Sequence, residues 1–178
     1  MTPGTWSRLI ANGFPAARLE QDESWGEPSA SVVALLSGAL ADLADLPSAD
    51  RLKVQAGSRG LVAVPVTLVA VAVRNLVENA LRHTQAGSPV ELSMAGDGTN
   101  VIFAVKDQGA DHQPQHAGAV ATAQSDRPPS RGHGLGLTIV EAIVNRFDGQ
   151  LQFQRRASGG LEAQLMFPAS PAEPTGSG

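Results

Sequence analysis

The hydrophobic and polar positions of the chain fall into blocks of helical and of strand period. Across residues 31–46 the apolar side chains stand at 32, 35, 36, 39, 40, 43 and 46, a helical stripe opened by Ser31 as cap and closed before Pro47. Residues 51–56 and 61–64 read as a short hairpin around Gly57-Ser58-Arg59-Gly60. Pro65 suits the first turn of a helix that runs to about Arg82. Residues 89–95 and 100–107 then alternate in strand fashion across the turn Gly96-Asp97-Gly98-Thr99. Helical period returns over residues 137–147, and two last strands, 150–156 and 161–167, flank Ala157-Ser158-Gly159-Gly160.

Residues 109–131 carry almost no apolar side chain larger than Ala or Val and read as a long loop. Loops of about 20 residues are unusual in compact domains unless they are functional lids or disordered. Residues 1–30 mix Gly, Pro, charge and two isolated Trp without a sustained period, a weakly ordered lead-in. Residues 169–178 form a Pro/Gly/Ser tail expected to be disordered, which leaves 31–168 as the folded domain. The order is helix, hairpin, helix, hairpin, lid, helix, hairpin. Strands that arrive in pairs favour an antiparallel or mixed sheet with helices on one face, an α+β arrangement, over a doubly wound parallel sheet.

Composition narrows the chemistry. A chain of 178 residues with 42% hydrophobic residues buries one core, and a net charge of −4 without any Lys/Arg run argues against a protein that tracks a nucleic-acid backbone. Without cysteine there is no disulfide, thiol nucleophile or thiolate metal site. The longest apolar run, residues 61–73, contains a proline and falls short of the roughly 20 residues needed to span a bilayer, so it reads as core. The start lacks the basic, apolar and small-residue pattern of a secretory signal. The polypeptide is therefore expected to be soluble as it stands, even as a piece of something anchored.

Three local features carry candidate chemistry. In Arg131-Gly132-His133-Gly134-Leu135-Gly136-Leu137 the glycines stand at alternating positions before an apolar helix. A dinucleotide fingerprint would need a strand directly before it, and the preceding residues are polar and contain prolines; a Walker loop would need Lys and then Ser or Thr after its last glycine, where Leu137 stands. Both readings fail. What remains is a loop with exposed amides that leads into a helix N-terminus, suited to an anion or simply to a hinge. The second feature is Asn75, Asn79 and Arg82 at i, i+4 and i+7 on one face of the helix over 65–82. Carboxamides there fit either a Mg2+ ion, which takes one or two hard protein oxygens beside water and phosphate, or a solvated stripe. The third is Asp107 at a strand end close before Gly109, a carboxylate able to accept from an exocyclic amino group such as that of adenine, or ordinary turn chemistry.

Taken together and in this order, Asn75-Leu76-Val77-Glu78-Asn79-Ala80-Leu81-Arg82-His83-Thr84, then Asp107-Gln108-Gly109-Ala110, a lid, and Gly132-His133-Gly134-Leu135-Gly136-Leu137 resemble the ATP-binding domain of sensor histidine kinases, within the superfamily of gyrase, the Hsp90 chaperones and MutL. The resemblance spans about residues 30–168. It implies a two-layer α/β sandwich: a mixed, mostly antiparallel sheet of about five strands backed by three helices, with an ATP lid. It makes Asn79 the Mg2+ ligand, Asn75 its partner at the triphosphate, Arg82 a phosphate contact and His83 a ring near the nucleotide. Asp107 becomes the adenine reader with Gly109 its neighbour, and residues 131–137 become the lid hinge and phosphate cradle, within which His133 can reach phosphate. ATP and Mg2+ are the implied cofactors. The implied partners are the protein's own dimerisation and phosphoacceptor domain and a response regulator, with no nucleic acid and no membrane contact by this stretch. The implied location is the cytoplasm, on a parent that is an inner-membrane sensor.

The chain departs from the family pattern at several points. Position 111 is Asp where the pattern has Gly, residues 110–131 contain no Phe, and Gly159-Gly160-Leu161 stands where Gly-Gly-Thr is usual, so a short or degenerate lid, weaker nucleotide affinity or a lid that orders only with a partner is expected. The four histidines, His83, His112, His116 and His133, lie in the nucleotide face or the lid. None resembles the phosphoacceptor, so the chain alone is not expected to phosphorylate itself. Residues 1–30 resemble the tail of a dimerisation helix and its connector. Three alternatives stay open: an ATP-hydrolysing member of the superfamily, which would want a Glu base where Asn75 stands, a stand-alone serine kinase of the anti-sigma type, and a non-catalytic nucleotide-sensing domain.

Overall fold

A computed structural model of the chain describes residues 30–31, 43–44, 46–55, 57, 61–109, 120–122 and 135–170. The strands are β1 (Ala30–Ser31), β2 (Leu52–Gln55), β3 (Leu61–Val62), β4 (Val90–Gly96), β5 (Asn100–Lys106), β6 (Val120–Thr122), β7 (Gln150–Arg155) and β8 (Leu161–Pro168). The α-helices with described bounds are α1 (Val66–His83) and α2 (Leu135–Arg146), and a short 3-10 helix covers Ala49–Arg51. Six strands form one mixed sheet in the order β2-β4-β5-β8-β7-β6, with only the β2/β4 pair parallel.

One face of the sheet is apolar because its strands keep a period of two. Val90, Leu92 and Met94 on β4, Val101, Phe103 and Val105 on β5, and Ala163, Leu165 and Phe167 on β8 are all buried. Register stacks them in rows, Leu92 beside Val105 and Val101 beside Phe167. Against this face lie the apolar sides of α1 (Leu68, Val69, Val73, Leu76, Val77) and α2 (Val140, Ile143, Val144), all in one continuous core. The opposite face carries Glu91, Lys106 and Glu162, with Lys106 Nζ 3.9 Å from Glu162. The α+β sandwich expected from the sequence is the observed architecture.

Details differ. The expected hairpin around residues 57–60 does not form: β2 pairs in parallel with β4, across the α1 crossover, and β3 pairs with β1 in a separate antiparallel ribbon. Parallel register sets Leu52 beside Val90 and Val54 beside Leu92, which aligns the half-buried side of β2 with the core row of β4. Ser31, expected to cap a helix, lies instead in β1. Of the helix expected over 31–46, Leu43 and Ala44 are helical and Leu43 and Leu46 are buried, while 32–42 lie outside the described residues. Among the described residues of the long loop stands a short strand, β6, whose pairing with β7 makes it the sixth strand of the sheet. Three residues are too few to show a period in sequence. The expected lead-in and tail fall outside the described residues, apart from Ala30 and the first two residues of the tail, Ala169 and Ser170.

Candidate nucleotide site

Pro65 stands at the N-cap of helix α1, and its carbonyl accepts from the amides of Leu68 and Val69. Its apolar side is buried in the core, and that orientation places the two carboxamides on its flank. Asn75 is only 7% exposed; its Nδ2 donates to the Val71 carbonyl at 2.8 Å. Asn79, one turn on, is half-buried, and among the described residues no hydrogen bond ties up its carboxamide. Arg82 is exposed and pairs with Glu78 at 2.9 Å, an i,i+4 contact worth about 0.3–0.5 kcal/mol and easily given up. His83 ends the helix with its ring exposed and its carbonyl facing Gly109.

The C-terminus of α1 is held from a distance. Arg51 Nη2 donates to the Leu81 carbonyl at 2.6 Å and Nη1 to the Gln85 carbonyl at 2.8 Å, while Thr84 Oγ1 donates to Ala80 O at 2.6 Å. A cation beside the Leu81 carbonyl in the last turn also opposes the negative end of the helix dipole. Nothing in the sequence near residues 80–85 pointed to Arg51.

Asp107 stands one residue past β5, where the β5/β8 ladder is rewired. Its amide donates to the Leu161 carbonyl at 2.9 Å as a regular rung would, but the Leu161 amide donates to the side-chain Oδ1 at 3.0 Å. Oδ1 also accepts from the Gly109 amide at 2.9 Å. The displaced Asp107 carbonyl accepts from Arg156 Nη1 at 2.8 Å. Two main-chain donors therefore fix the carboxylate by one oxygen and leave Oδ2 outside both bonds.

Of the glycine-rich segment, Arg131, Gly132, His133 and Gly134 lie outside the described residues. Leu135, Gly136 and Leu137 form the first turn of α2, which begins two residues earlier than the apolar period indicates. A methyl group at Gly136 would lie 2.7 Å from Asn75 Oδ1. The structure thus brings Asn75 together with Gly136, and Asp107 with Gly109 and the His83 backbone. Asn79 and Arg82 follow Asn75 along α1.

This ordering of a two-Asn helix, a strand-end Asp and a glycine-led helix matches a known sequence family. Residues 65–171 match the family described as histidine kinase-, DNA gyrase B-, and HSP90-like ATPase. The chain belongs to that family. Among its relatives, the sensor protein QseC of Escherichia coli K12 is 33% identical over 101 residues, covering 55% of this chain and 21% of QseC. The sensor-like histidine kinase SenX3 of Mycobacterium tuberculosis H37Rv is 33% identical over 108 residues, covering 58% of this chain and 26% of SenX3. The match therefore spans about a fifth to a quarter of the length of these relatives. The solved histidine kinase domain of the E. coli osmosensor EnvZ superposes with a TM-score of 0.58 at 25% identity, over 85% of this chain and 94% of that domain. The domain is thus the ATP-binding catalytic domain of a sensor histidine kinase type. No helix among the described residues is long and apolar enough to cross a membrane.

Proposed function

We propose that this domain binds MgATP between α1, the Asp107 turn and the N-terminus of α2, and presents its γ-phosphate to a histidine on the protein's own dimerisation domain. The observation that carries the reading is the state of Asp107: a carboxylate locked by main-chain amides through Oδ1 keeps Oδ2 as an acceptor for the 6-amino group of adenine. Gly109 beside it lets the base approach the backbone, next to the end of α1.

Phosphate binding falls to α1 and the start of α2. Arg82 exchanges Glu78 for phosphate oxygens, and the amides at the head of α2, with the glycines at 132, 134 and 136 and His133, supply donors to the anion. Asn79 offers a hard carboxamide oxygen on the site side of α1, and no cluster of three acidic or histidine ligands stands among the described residues, so Mg2+ would depend on phosphate and water for most of its shell. When bound, that ion supplies charge neutralisation at the triphosphate. Asn75, back-bonded to Val71 and packed on Gly136, holds α2 against α1 beside the triphosphate.

The phosphoacceptor nitrogen then attacks the γ-phosphorus, a P–N bond forms, and the bond to the β-phosphate oxygen breaks with ADP as leaving group. The domain contributes position and charge and no covalent partner. From the phosphohistidine the group passes to an aspartate of a response regulator, on a cytoplasmic arm of a membrane sensor. Titration of the chain with MgATP tests this, with Asn79→Ala as the control for metal-dependent affinity. Saturable binding that weakens in the variant, and weakens less when Mg2+ is left out, is the expected result. Absence of saturable binding by the wild-type chain up to millimolar nucleotide sinks the reading.

A further inference from the structure

We propose that Arg156 is a positioning residue for base recognition, acting through Asp107 and resting on the nucleotide reading above. The pair Asp107/Leu161 has the geometry of a hydrogen-bonded antiparallel pair, in which each amide should donate to the other carbonyl. Only half of that exchange is present. Asp107 N–H reaches Leu161 O at 2.9 Å, whereas Leu161 N–H goes to the carboxylate at 3.0 Å. A carbonyl that loses its rung in a half-buried position needs another donor, and the Arg156 guanidinium supplies it at 2.8 Å.

The turn between β7 and β8 is shaped for this. The Arg156 amide donates to Gly160 O at 3.1 Å and the Gly159 amide to Arg156 O at 3.0 Å, closing residues 156–160 on themselves. Gly159 and Gly160 both take φ of 86°, and a side-chain carbon at 160 would collide with the Asp107 carbonyl. The turn therefore sits directly on the Asp107 backbone. With Arg156 present, Leu161 N–H is free to hold Oδ1 and the carboxylate is locked. Without it, the regular rung becomes the better bond, Leu161 N–H returns to the carbonyl, and Asp107 keeps only the Gly109 amide.

The consequence is selectivity for the base rather than for phosphate. ITP carries a carbonyl where ATP carries the 6-amino group, so a locked carboxylate separates the two and a loose one separates them less. The experiment measures Kd for ATP and ITP on the full chain for wild type, Arg156→Ala and Arg156→Lys, with urea midpoints and the Leu161 amide resonance followed in parallel. Arg156→Ala is expected to weaken ATP about tenfold, the size of one charge-assisted hydrogen bond, and ITP hardly at all. Arg156→Lys recovers part of the ATP affinity, and the Leu161 amide shifts in the Ala variant alone. Equal losses for ATP and ITP, or an unmoved Leu161 amide, overturn the proposal while leaving ATP binding intact. A wild-type chain that binds no ATP overturns both the nucleotide reading and this one.

Discussion

Gly136 and Asn75 touch so closely that a β-carbon on residue 136 would stand 2.7 Å from Asn75 Oδ1, yet 3.7 Å from Asn75 Cβ. The contact joins the head of α2 to the middle of α1, and only the carboxamide makes it tight. Gly136→Ala should therefore cost about 1–3 kcal/mol of unfolding free energy by overpacking. In an Asn75→Ala background the same change meets ordinary van der Waals space and should be neutral or gain up to about 1 kcal/mol from helix propensity. Urea denaturation of the four proteins gives the coupling energy directly; additive single effects would refute the contact as the cause.

Asp107→Asn separates the two oxygens of the carboxylate. Its carbonyl keeps the amides of Gly109 and Leu161, while an NH2 replaces Oδ2 and, on the proposed reading, would face another donor on adenine. ATP affinity should fall by about 100-fold or more, the usual loss when a built polar contact is mispaired, with the urea midpoint nearly unchanged. GTP, which offers a carbonyl at that position, should gain relative to ATP. Unaltered ATP affinity in this variant would show that Oδ2 does not read the base.

Arg51→Ala removes a donor from the Leu81 carbonyl in the last turn of α1 and from the Gln85 carbonyl just past it. Since the guanidinium is half-buried and charge-assisted, the loss should be about 1–2 kcal/mol. Amide exchange should locate it. Protection should drop most over residues 80–85 and least at Val69 to Val73, whose amides lie in the buried first turns; uniform loss along the helix would point to a different role.

Asp97 closes the β4/β5 turn by accepting from the amides of Asn100 at 2.6 Å and Thr99 at 2.8 Å. The Asn100 amide first, then that of Thr99, hold its carboxyl below the ordinary value of 3.8. A lowered folded value means that the stabilisation is complete above the ordinary carboxylate range and is lost as pH falls through the lowered one. The difference in urea midpoint between wild type and Asp97→Ala should thus stay level from neutral pH down to about the ordinary carboxylate pKa and shrink only in stronger acid. A difference that grows on acidification would contradict it.

By itself the sequence determined the periods: α1 and α2 from their apolar stripes, β4, β5, β7 and β8 from alternation, and Asn75, Asn79, Asp107 and the glycine run from residue type and order. These are local properties, written in spacings of two and 3.6 residues. Beyond the two hairpins β4/β5 and β7/β8, tertiary structure alone decided the pairings. It sent β2 to β4 in place of β3, because matching apolar rows lie across the α1 crossover, and it added β6 at an edge where three residues carry no period. It also brought Arg51 to the end of α1 and Arg156 to Asp107, 49 residues away in the chain. An unpaired carbonyl attracts whichever donor the fold sets beside it, and sequence distance does not record which one that is.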